Sequence, residues 1–598
     1  MRARVVILFS VAAFVITTTP AFAVTNSEVS TASPSGSTPQ NHQNEPTVAI
    51  DQSRPDVVVS GWNDFIDQQV CPQDAAIDTG TCLPSIHGVG LSGVGFSFDG
   101  GRSWKQPTYT GWTNFDCTRT DVECNGHVGA IHTLPWYYEN GLVSEGDPAV
   151  AWGPQPDANG NFSWANGSRL YYANLVGTWN PTGNDIVFPG TIIQNLIGIG
   201  VSRADNVTAA NFQSKSTWKP PVVINTHGGA TAFEDKEQIW ADNAQTSPNF
   251  GNVYVCNAEF RSLGLHLPGT YPAPLKVYTS TDGGTTWQVK QVTPAGSPGQ
   301  NNPTDWGYSG CTIRTDSQGV VYMFAERFQN PAVVGLPTHG TLVMWKSFDG
   351  GKHWTQQNLL RRITDPCYFI DPVYGRCVMD GYAGARSDLA SAPSVDIANG
   401  APTGSDATNE IVMNYVDSPT LNDVLSRIQY STDAGTTWSS PQTVSLPGDR
   451  AIYTAPSISP DGRQVYVVYN ADLDPWRGAD MTSSRRYHGV FRQAAVSGSG
   501  ALTGWTTAYD GPLGDLRASY PGHDIYQERI GDYVYSSATR TYGLGVENDL
   551  RNAAVCDAVQ QYRADSVLAG VLALPAPWPI RDCPATFGNL DIWGITTR

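Results

Sequence analysis

The sequence predicts an all-β protein, a seven-bladed β-propeller of four-stranded antiparallel blades, with six blades as the fallback. Three observations support this fold class. A turn pattern, Ser-x-Asp-x-Gly-x-x-Trp, occurs four times, and strand-like segments recur in pairs along the chain. Gly, Trp and Tyr are abundant, whereas only 15% of the 598 residues are charged. Repeated sheet units that cannot bury an apolar face alone are typical of radial or stacked architectures.

Each copy of the turn pattern predicts the corner of a β-hairpin. The Asp side chain can accept hydrogen bonds from nearby backbone amides, and Gly permits a positive φ. The Trp then lies on the next strand, where it can anchor the corner. The four copies occupy residues 97–104, 280–287, 347–354 and 431–438.

Seven pairs of strand-like runs set the predicted number of blades. The second run of each pair follows the first closely, and a third strand with the turn pattern follows in several units. The seven first runs are residues 45–51, 147–152, 236–242, 309–316, 392–397, 455–462 and 530–537. The seventh unit lacks an obvious fourth strand, so we expect the segment before Glu45 to supply it and close the ring. Closure would remove an exposed sheet edge.

The two ends of the chain predict export and a single large domain. Residues 1–23 combine Arg2 and Arg4, an apolar run and an Ala-Phe-Ala ending, which is typical of a secretory signal peptide. Residues 24–43, rich in small and polar residues, are predicted to be a flexible leader. Residues 44–598 are predicted to form one propeller domain with a helix-like insertion at about 553–588. No later segment is long and apolar enough to predict insertion into a membrane.

Ten cysteines predict disulfides in the oxidising environment that export implies. No couple has the Cys-x2-Cys spacing of a zinc site. Cys256 and Cys311 are left without a local partner. The sequence-local couples are Cys71 with Cys82, Cys117 with Cys124, Cys367 with Cys377, and Cys556 with Cys583.

The net charge of −18 argues against nucleic acid and anionic membrane surfaces as partners. It does not identify a ligand. The sequence predicts no particular oligomeric state.

The four turns resemble the Asp-box, or BNR repeat, of the sialidase-like β-propeller superfamily. The resemblance implies blades with Asp-box turns and, more broadly, a secreted glycan-active enzyme such as a glycoside hydrolase. Sialidases carry an arginine in a Phe/Tyr-Arg-Ile-Pro motif, and this motif does not occur here. The nearest string, Phe491-Arg492-Gln493, lacks the Ile-Pro. The catalytic residues of sialidases are therefore not transferred to this chain.

Antiparallel strands predict which face of the ring carries the chemistry. The starts of the innermost strands and the ends of the second strands share one face, called the front, whereas the four turns lie on the back. The long insertions at residues 65–92, 107–145 and 357–390 are all predicted on the front. Long loops on a rigid scaffold are where binding and catalytic residues concentrate.

Candidate site residues are taken from these front strand ends and loops. Crowded carboxylates should differ in pKa, as general acid and base catalysis requires, and arginines could clamp an anionic group. For each carboxylate the alternative is a turn cap or an ion pair between blades, and for each aromatic it is packing within its own loop. The catalytic candidates are Glu237, Glu326, Asp532 and Asp549, and the substrate-binding candidates are Arg261, Arg327, Arg529, Trp136 and Tyr382.

The predicted function is cleavage of glycosidic bonds in an extracellular oligo- or polysaccharide. The alternatives are a non-catalytic propeller that binds carbohydrate or protein at the cell surface, and a polysaccharide lyase. No cofactor is required by this prediction. The many carboxylates would suit Ca²⁺, but no EF-hand-like loop occurs and metal binding is left open. His127 and His132 could be ligands or catalysts, and the alternative is a structural pair in a disulfide-bonded loop.

Overall fold

A computed structural model of the chain describes residues 24–71, 88–121, 124–179, 196–226, 232–262, 270–271, 274–294, 307–328, 338–383, 385–387, 390–522, 524–527 and 530–598. The predicted signal peptide lies outside the described residues. Seven antiparallel sheets surround a central channel, so the predicted seven-bladed propeller is confirmed and the six-bladed fallback is not needed.

The first four blades, each given from its innermost strand outwards, follow the order of the chain. Blade 1 contains β2 (Gln43–Ile50), β3 (Val58–Asp64) and β4 (Ser92–Ser97), and it is followed by the hairpin of β5 (Tyr109–Thr113) and β6 (His127–Ile131). Blade 2 contains β8 (Ala149–Pro156), β9 (Phe162–Thr178), β10 (Leu196–Asp205) and β11 (Trp218–Thr226), with β7 (Leu142–Ser144) also on β9. Blade 3 contains β12 (Ala232–Ala241), β13 (Val253–Ser262), β15 (Leu275–Ser280) and β16 (Gln288–Gln291), with β14 (Thr270–Tyr271) also on β13. Blade 4 contains β17 (Tyr308–Thr315), β18 (Val321–Phe328), β19 (His339–Ser347) and β20 (Asn358–Thr364).

The last three blades complete the ring. The short hairpin of β21 (Phe369–Ile370) and β22 (Cys377–Val378) precedes blade 5, which contains β23 (Ser394–Ile397), β24 (Ile411–Thr420), β25 (Asp423–Ser431) and β26 (Gln442–Thr443). Blade 6 contains β27 (Arg450–Ile458), β28 (Gln464–Asp472), β29 (Arg486–Val496) and β30 (Leu502–Asp510), with β31 (Gly514–Asp515) also on β29. Blade 7 contains β32 (Tyr535–Ala538), β33 (Gly543–Asp549), β34 (Asp591–Thr596) and β1 (Thr25–Glu28).

Blade 1 departs from the predicted four strands. Its sheet has three strands, and the outermost position is reduced to an isolated bridge between Phe96 and Lys105. After Lys105 the backbone leaves the sheet, so no further residues pair with β4 and no fourth strand forms. The following residues instead enter the front insertion.

The N-terminal strand β1 closes the ring by pairing antiparallel with β34, with Thr25 opposite Thr596. The segment before Glu45 therefore supplies the outer strand of blade 7, as expected from the missing fourth strand of the seventh unit. Val29, just after β1, is fully buried among Trp62, Trp104 and Ile592. The first and last parts of the chain thus share one core.

The core lies between blades, where the faces of neighbouring sheets meet. Tyr171 of blade 2 packs with Val255 and Tyr278 of blade 3, for example. Each sheet thus buries both faces against its two neighbours, as blades arranged radially around an axis do. Radial closure leaves only short, protected sheet edges. The seven innermost strands accordingly contact one another in sequence around the channel.

The four Ser-x-Asp-x-Gly turns have the same hydrogen bonds. In the third copy the Ser347 hydroxyl donates to Asp349 (2.9 Å), and Gly351 N donates back to the Ser347 hydroxyl (2.8 Å). In the first copy Gly100 N donates to the carbonyl of Asp56, in the turn after an innermost strand. These turns therefore lie on the back face, opposite the starts of the innermost strands.

A helical insertion between β33 and β34 covers part of the front. It contains α1 (Asp557–Ala569) and α2 (Pro579–Asp582). Elsewhere in the described ranges, four short 3-10 turns occur at Tyr138–Asn140, Lys215–Thr217, Met379–Gly381 and Leu516–Ala518. Among the described residues, no helix has the length and apolar character needed to cross a bilayer.

Disulfides pin the insertions, and they confirm three of the predicted local couples: Cys117 with Cys124, Cys367 with Cys377, and Cys556 with Cys583. The two remaining cysteines form a fourth bond, Cys256 with Cys311, which joins β13 of blade 3 to β17 of blade 4. Cys71 is also disulfide-bonded, and its predicted partner Cys82 lies outside the described residues.

Val29→Asp should destabilise the protein strongly, because it places an unpaired charge in the core that closes the ring. We expect a loss of about 3 kcal/mol or more in the free energy of unfolding, measured by chemical denaturation. Val128→Asp is the matched control, because Val128 is 54% exposed. Equal effects of the two substitutions would contradict the proposed role of β1.

Candidate functional site

The front end of the channel is shaped by a repeated irregularity in the innermost strands. One residue near the start of five of these strands adopts a positive φ, and four of the five strands show a register shift there. The residues are Glu45 (56°), Asp147 (51°), Lys236 (57°), Gly310 (63°) and Tyr453 (45°). A non-glycine residue in this region costs about 1–3 kcal/mol and persists where the surroundings hold it. The bulge redirects the side chain that it carries.

Three of these residues join a buried cluster of charges. Lys236 Nζ lies 2.6 Å from Asp532 Oδ2, 3.2 Å from Asp147 Oδ2 and 3.4 Å from Asp235 Oδ1. Arg386 Nη2 is also 2.6 Å from Asp532 Oδ2 and is 3.9 Å from Glu45 Oε1. We call Glu45, Asp147, Asp235, Lys236, Arg386 and Asp532 the mouth cluster.

Close packing holds the mouth cluster in place. Asn63 Nδ2 donates to Glu45 Oε2 (2.6 Å), and the backbone N–H of Asp147 donates to Asn63 Oδ1 (2.8 Å). Gly531 has a φ of 90°, and a Cβ there would lie 2.2 Å from Glu45 Cγ. Only glycine therefore lets the chain that carries Asp532 come this close to blade 1.

The carboxyl groups of the mouth cluster differ in pKa. Burial would raise the pKa of Asp147, but the Lys236 ammonium and hydrogen bonds from Asp235 and Glu45 lower it below its usual value. Burial raises the pKa of Asp235 to about 7, against the opposing effect of Lys236. Burial alone would lower the pKa of Lys236, but the surrounding carboxylates raise it well above its usual range. The cluster therefore holds protonated and charged carboxyls side by side.

Glu237 lies beside the cluster in a different environment. It is 6% exposed, and neither carboxyl oxygen has a hydrogen-bond partner among the described residues. Burial, reinforced by the charge of Asp147, raises the pKa of Glu237 well above its usual value. One cavity at the front end of the channel is lined by Glu237, Lys236, Asp532, Tyr453 and Tyr533.

Two of the predicted catalytic carboxylates lie elsewhere. Glu326, at the end of β18, is buried beside Asp365, and burial together with that neighbour raises its pKa well above the usual value. Asp549, at the end of β33, forms an ion pair with Arg551 (2.5 Å). Neither residue lines the front cavity, so the structure brings together Glu237 and Asp532 but not all four.

The predicted arginines do not form a clamp in the described part of the site. Arg327 is half-buried on β18, where it pairs in register with Tyr308. The backbone of Arg261 belongs to β13, but its side chain lies outside the described residues. Arg529 also lies outside the described residues.

The two predicted aromatic contacts pack within the protein instead. Trp136 donates its indole N–H to the carbonyls of Lys215 (3.0 Å) and Trp218 (3.1 Å), and the Lys215 ammonium lies 4.4 Å from its ring centre. Tyr382 is fully buried, and its hydroxyl is hydrogen-bonded to Gln560 and Arg563 of α1. Both rings therefore contact other elements of the protein, Trp136 in blade 2 and Tyr382 in α1.

Of the six members of the mouth cluster, sequence reasoning selected only Asp532 as a site residue. Arg386 lies in the long loop before blade 5, where no strand periodicity places it. Lys236 lies in the Asp235-Lys236-Glu237 run, but its inward orientation depends on a positive φ that the residue type does not indicate. Glu45, Asp147 and Asp235 were not selected, because a turn cap or an ion pair between blades is the alternative for each carboxylate at a strand start.

The histidine pair has a structural environment. His132 Nδ1 is 2.9 Å from Asp67 Oδ1, and its ring packs on Phe115. Burial would lower the pKa of His132, but Asp67 raises it. His127 is half-exposed and lies 3.4 Å from Asp116. Within the described ranges, no group of three or more His, Cys, Asp or Glu side chains is arranged to hold a metal ion.

Comparison with known proteins identifies no family for the chain. No protein-family model matches it, and no curated protein matches it. Several solved structures are similar over much of their length, but with TM-scores below 0.5.

Three such structures illustrate the range. A protein of unknown function from Dyadobacter fermentans is 12% identical, with 76% of this chain and 94% of that chain covered and a TM-score of 0.36. The intramolecular trans-sialidase from Ruminococcus gnavus is 11% identical, with 73% and 92% covered and a TM-score of 0.37. An α-L-arabinofuranosidase from Fusarium graminearum is 13% identical, with 70% and 91% covered and a TM-score of 0.34. Similarity at this level carries no conclusion about activity, because one fold hosts many functions.

Lys236→Met should destabilise the protein at pH 7 by about 3–5 kcal/mol, because it leaves several buried carboxylates without their cation. The loss should shrink at pH 5, where those carboxylates can take up protons. The variant should therefore lose stability as pH rises, relative to the unsubstituted protein. Chemical denaturation at both pH values measures this.

Lys215→Met is the control for Lys236→Met. Lys215 pairs with Glu139 at the surface, and such pairs contribute about 0–1 kcal/mol. A pH-independent loss in Lys236→Met, no larger than in the control, would show that the ammonium does not hold the mouth cluster together.

Proposed function

We propose that this chain is a secreted glycan-active enzyme that hydrolyses glycosidic bonds in the front cavity. The observation that supports the proposal is the presence, in one cavity, of two carboxyl groups with opposite surroundings. Glu237 is buried without a hydrogen-bond partner among the described residues, whereas Asp532 is bound by two cations. Pairs of carboxyls in contrasting environments are the typical acid and base of glycoside hydrolysis.

Glu237 is the proposed general acid. Burial raises its pKa and so favours the protonated carboxyl, which can donate a proton to the leaving glycosidic oxygen. The absence of a fixed partner among the described residues leaves that proton available to a substrate. The cavity that it lines is also lined by Ala390 and Ala392, at the end of the long loop before blade 5.

Asp532 is the proposed second carboxylate. Its negative charge would stabilise the positive charge that develops on the sugar ring in the transition state. Lys236 and Arg386 fix the position of the carboxylate, each at 2.6 Å from Oδ2. A preorganised charge of this kind needs no reorganisation when the reaction occurs.

The charges of the site favour a neutral glycan over an anionic one. Five carboxyl groups, Glu45, Asp147, Asp235, Glu237 and Asp532, surround two cations, Lys236 and Arg386. Both cations are already paired with carboxylates. An acidic sugar such as sialic acid would meet repulsion here, in agreement with the missing Phe/Tyr-Arg-Ile-Pro motif.

Secretion is part of the proposal. It is supported by the signal-peptide pattern of residues 1–23 and by the four disulfides of the described structure. Disulfides of this number are typical of proteins that fold in an oxidising compartment.

Glu237→Gln should lower kcat by about 10²–10⁴-fold, because an amide cannot act as the acid. The measurement is release of reducing sugar from a panel of neutral and acidic oligo- and polysaccharides. We expect hydrolysis of a neutral glycan. For that substrate kcat/KM should also fall as pH rises through the raised pKa of Glu237.

Glu410→Gln is the matched control. Glu410 is a second buried glutamate, 3% exposed with a pKa raised by burial to about 8, but it precedes β24 on the back face. Its replacement should leave kcat within about twofold. Full activity in Glu237→Gln would remove Glu237 from the mechanism, and turnover of acidic glycans alone would contradict the proposed substrate class.

A further inference from the structure

A second cavity lies at the back end of the central channel. The last residues of the innermost strands and the turns that follow them form its walls. The hydrogen bond from Gln238 Nε2 to the Tyr535 hydroxyl (2.8 Å) crosses the channel between this cavity and the front one. Its polar and aromatic lining includes Gln52, Trp240, Asn243, Arg314, Asp396 and Asn399.

The cavity arises because side chains at one level of the innermost strands differ in size from blade to blade. At the penultimate paired position before each back turn, blades 3, 4 and 5 carry Trp240, Arg314 and Asp396. The other four blades carry small residues at the same level. At that paired position they are Ala49, Ser457 and Ser537. In blade 2, whose innermost strand is longer, the equivalent residue is Ala151, which follows Asp147 at the same spacing as Ala49 follows Glu45. A layer that is large and charged on one side and small on the other leaves a space beside the charges.

Arg314 is held at the wall of this space with unused hydrogen-bonding capacity. Its Nη1 donates to Gln238 Oε1 (2.6 Å) and to the carbonyl of Ile313 (2.8 Å). Its guanidinium lies 4.6 Å from the centre of the Trp240 ring. Nε is buried and has no hydrogen-bond partner among the described residues. A buried donor in this state costs free energy unless a ligand or water satisfies it.

Asp396 lies beside Arg314 without completing a hydrogen bond to it. The distance from Arg314 Nε to Asp396 Oδ1 is 3.6 Å, which is longer than a hydrogen bond. The other oxygen, Oδ2, accepts from the backbone N–H of Ile458 (2.9 Å). Burial lowers the pKa of Arg314 and raises that of Asp396, which agrees with incomplete compensation between the two.

We propose that the back cavity binds a small zwitterion, an α-amino acid. Its carboxylate would accept from the Arg314 guanidinium, and its ammonium would donate to Asp396 Oδ1. The pair has no net charge, so a ligand with one charge of each sign satisfies both groups without leaving a buried charge. The small residues Ala49 and Ala151 leave room for the ligand's side chain. This site is separate from the front cavity and does not depend on the proposed hydrolase activity.

Isothermal titration calorimetry of the full chain tests the proposal, with the common α-amino acids titrated singly and acetate, methylamine and glucose as reference probes. At least one amino acid should bind at least tenfold more tightly than acetate or methylamine. Arg314→Gln and Asp396→Asn should each weaken that binding at least tenfold. Glu237→Gln should leave it unchanged.

Ala49→Leu provides a second test that keeps both charged groups. Ala49 is partly exposed to the cavity, so the larger side chain should fill the space and weaken binding at least tenfold while the thermal unfolding midpoint stays within a few degrees. The proposal is overturned if no amino acid binds more tightly than acetate, if binding survives in Arg314→Gln, or if glucose binds in preference to every amino acid.

Discussion

The positive-φ residue near the start of the innermost strands is the constraint on which the front of this protein depends. In an ordinary strand, side chains alternate between the two faces of a blade and would point into the interblade cores. The positive φ at Glu45, Asp147 and Lys236 redirects these side chains and brings charged groups from three blades to one place. The strain is tolerated because hydrogen bonds and ion pairs within the mouth cluster hold each residue.

Much of the fold follows from local sequence signals, because each blade is built from adjacent strands. The four Ser-x-Asp-x-Gly-x-x-Trp turns contain their own hydrogen bonds, so they identify hairpin corners wherever they occur. The placement of these turns opposite the charged mouth also follows from strand direction alone. The pairing of β1 with β34 was harder to predict in its register, because it joins residues more than 560 positions apart.

The candidate site was predicted only in part, for physical reasons that differ between residues. Glu237 and Asp532 lie at strand starts, where periodicity indicates the face. Arg386 reaches the site from a long loop that carries no periodic signal. Tyr382 was expected to contact substrate because exposed front aromatics suit sugars, but α1 covers it. The sequence predicted the helix, but it did not indicate that the helix would cover Tyr382.

The channel joins two ends with different electrostatic character. The front end concentrates carboxyls around Lys236 and Arg386, whereas the back end holds one arginine and one aspartate in a layer of small residues. Gln238 contributes to both, because it accepts from Arg314 and donates to Tyr535, which lines both cavities. The two ends therefore share a hydrogen-bonded residue pair but keep separate charged groups.

The helical insertion accounts for how two distant loops deliver Arg386 and Asp532 to the same point. Arg563 of α1 is fully buried and donates to five backbone carbonyls within residues 517–527, which lead directly towards Asp532. The same guanidinium donates to Tyr382, in the loop that carries Arg386. Burial of a guanidinium costs free energy unless each of its N–H groups donates a hydrogen bond. Because Arg563 is buried, its N–H groups need these partners. The segment 517–527 and the loop that carries Tyr382 must therefore both take the positions that supply them. The short distance between Arg386 and Asp532 at the mouth is a consequence of that requirement as much as of their opposite charges.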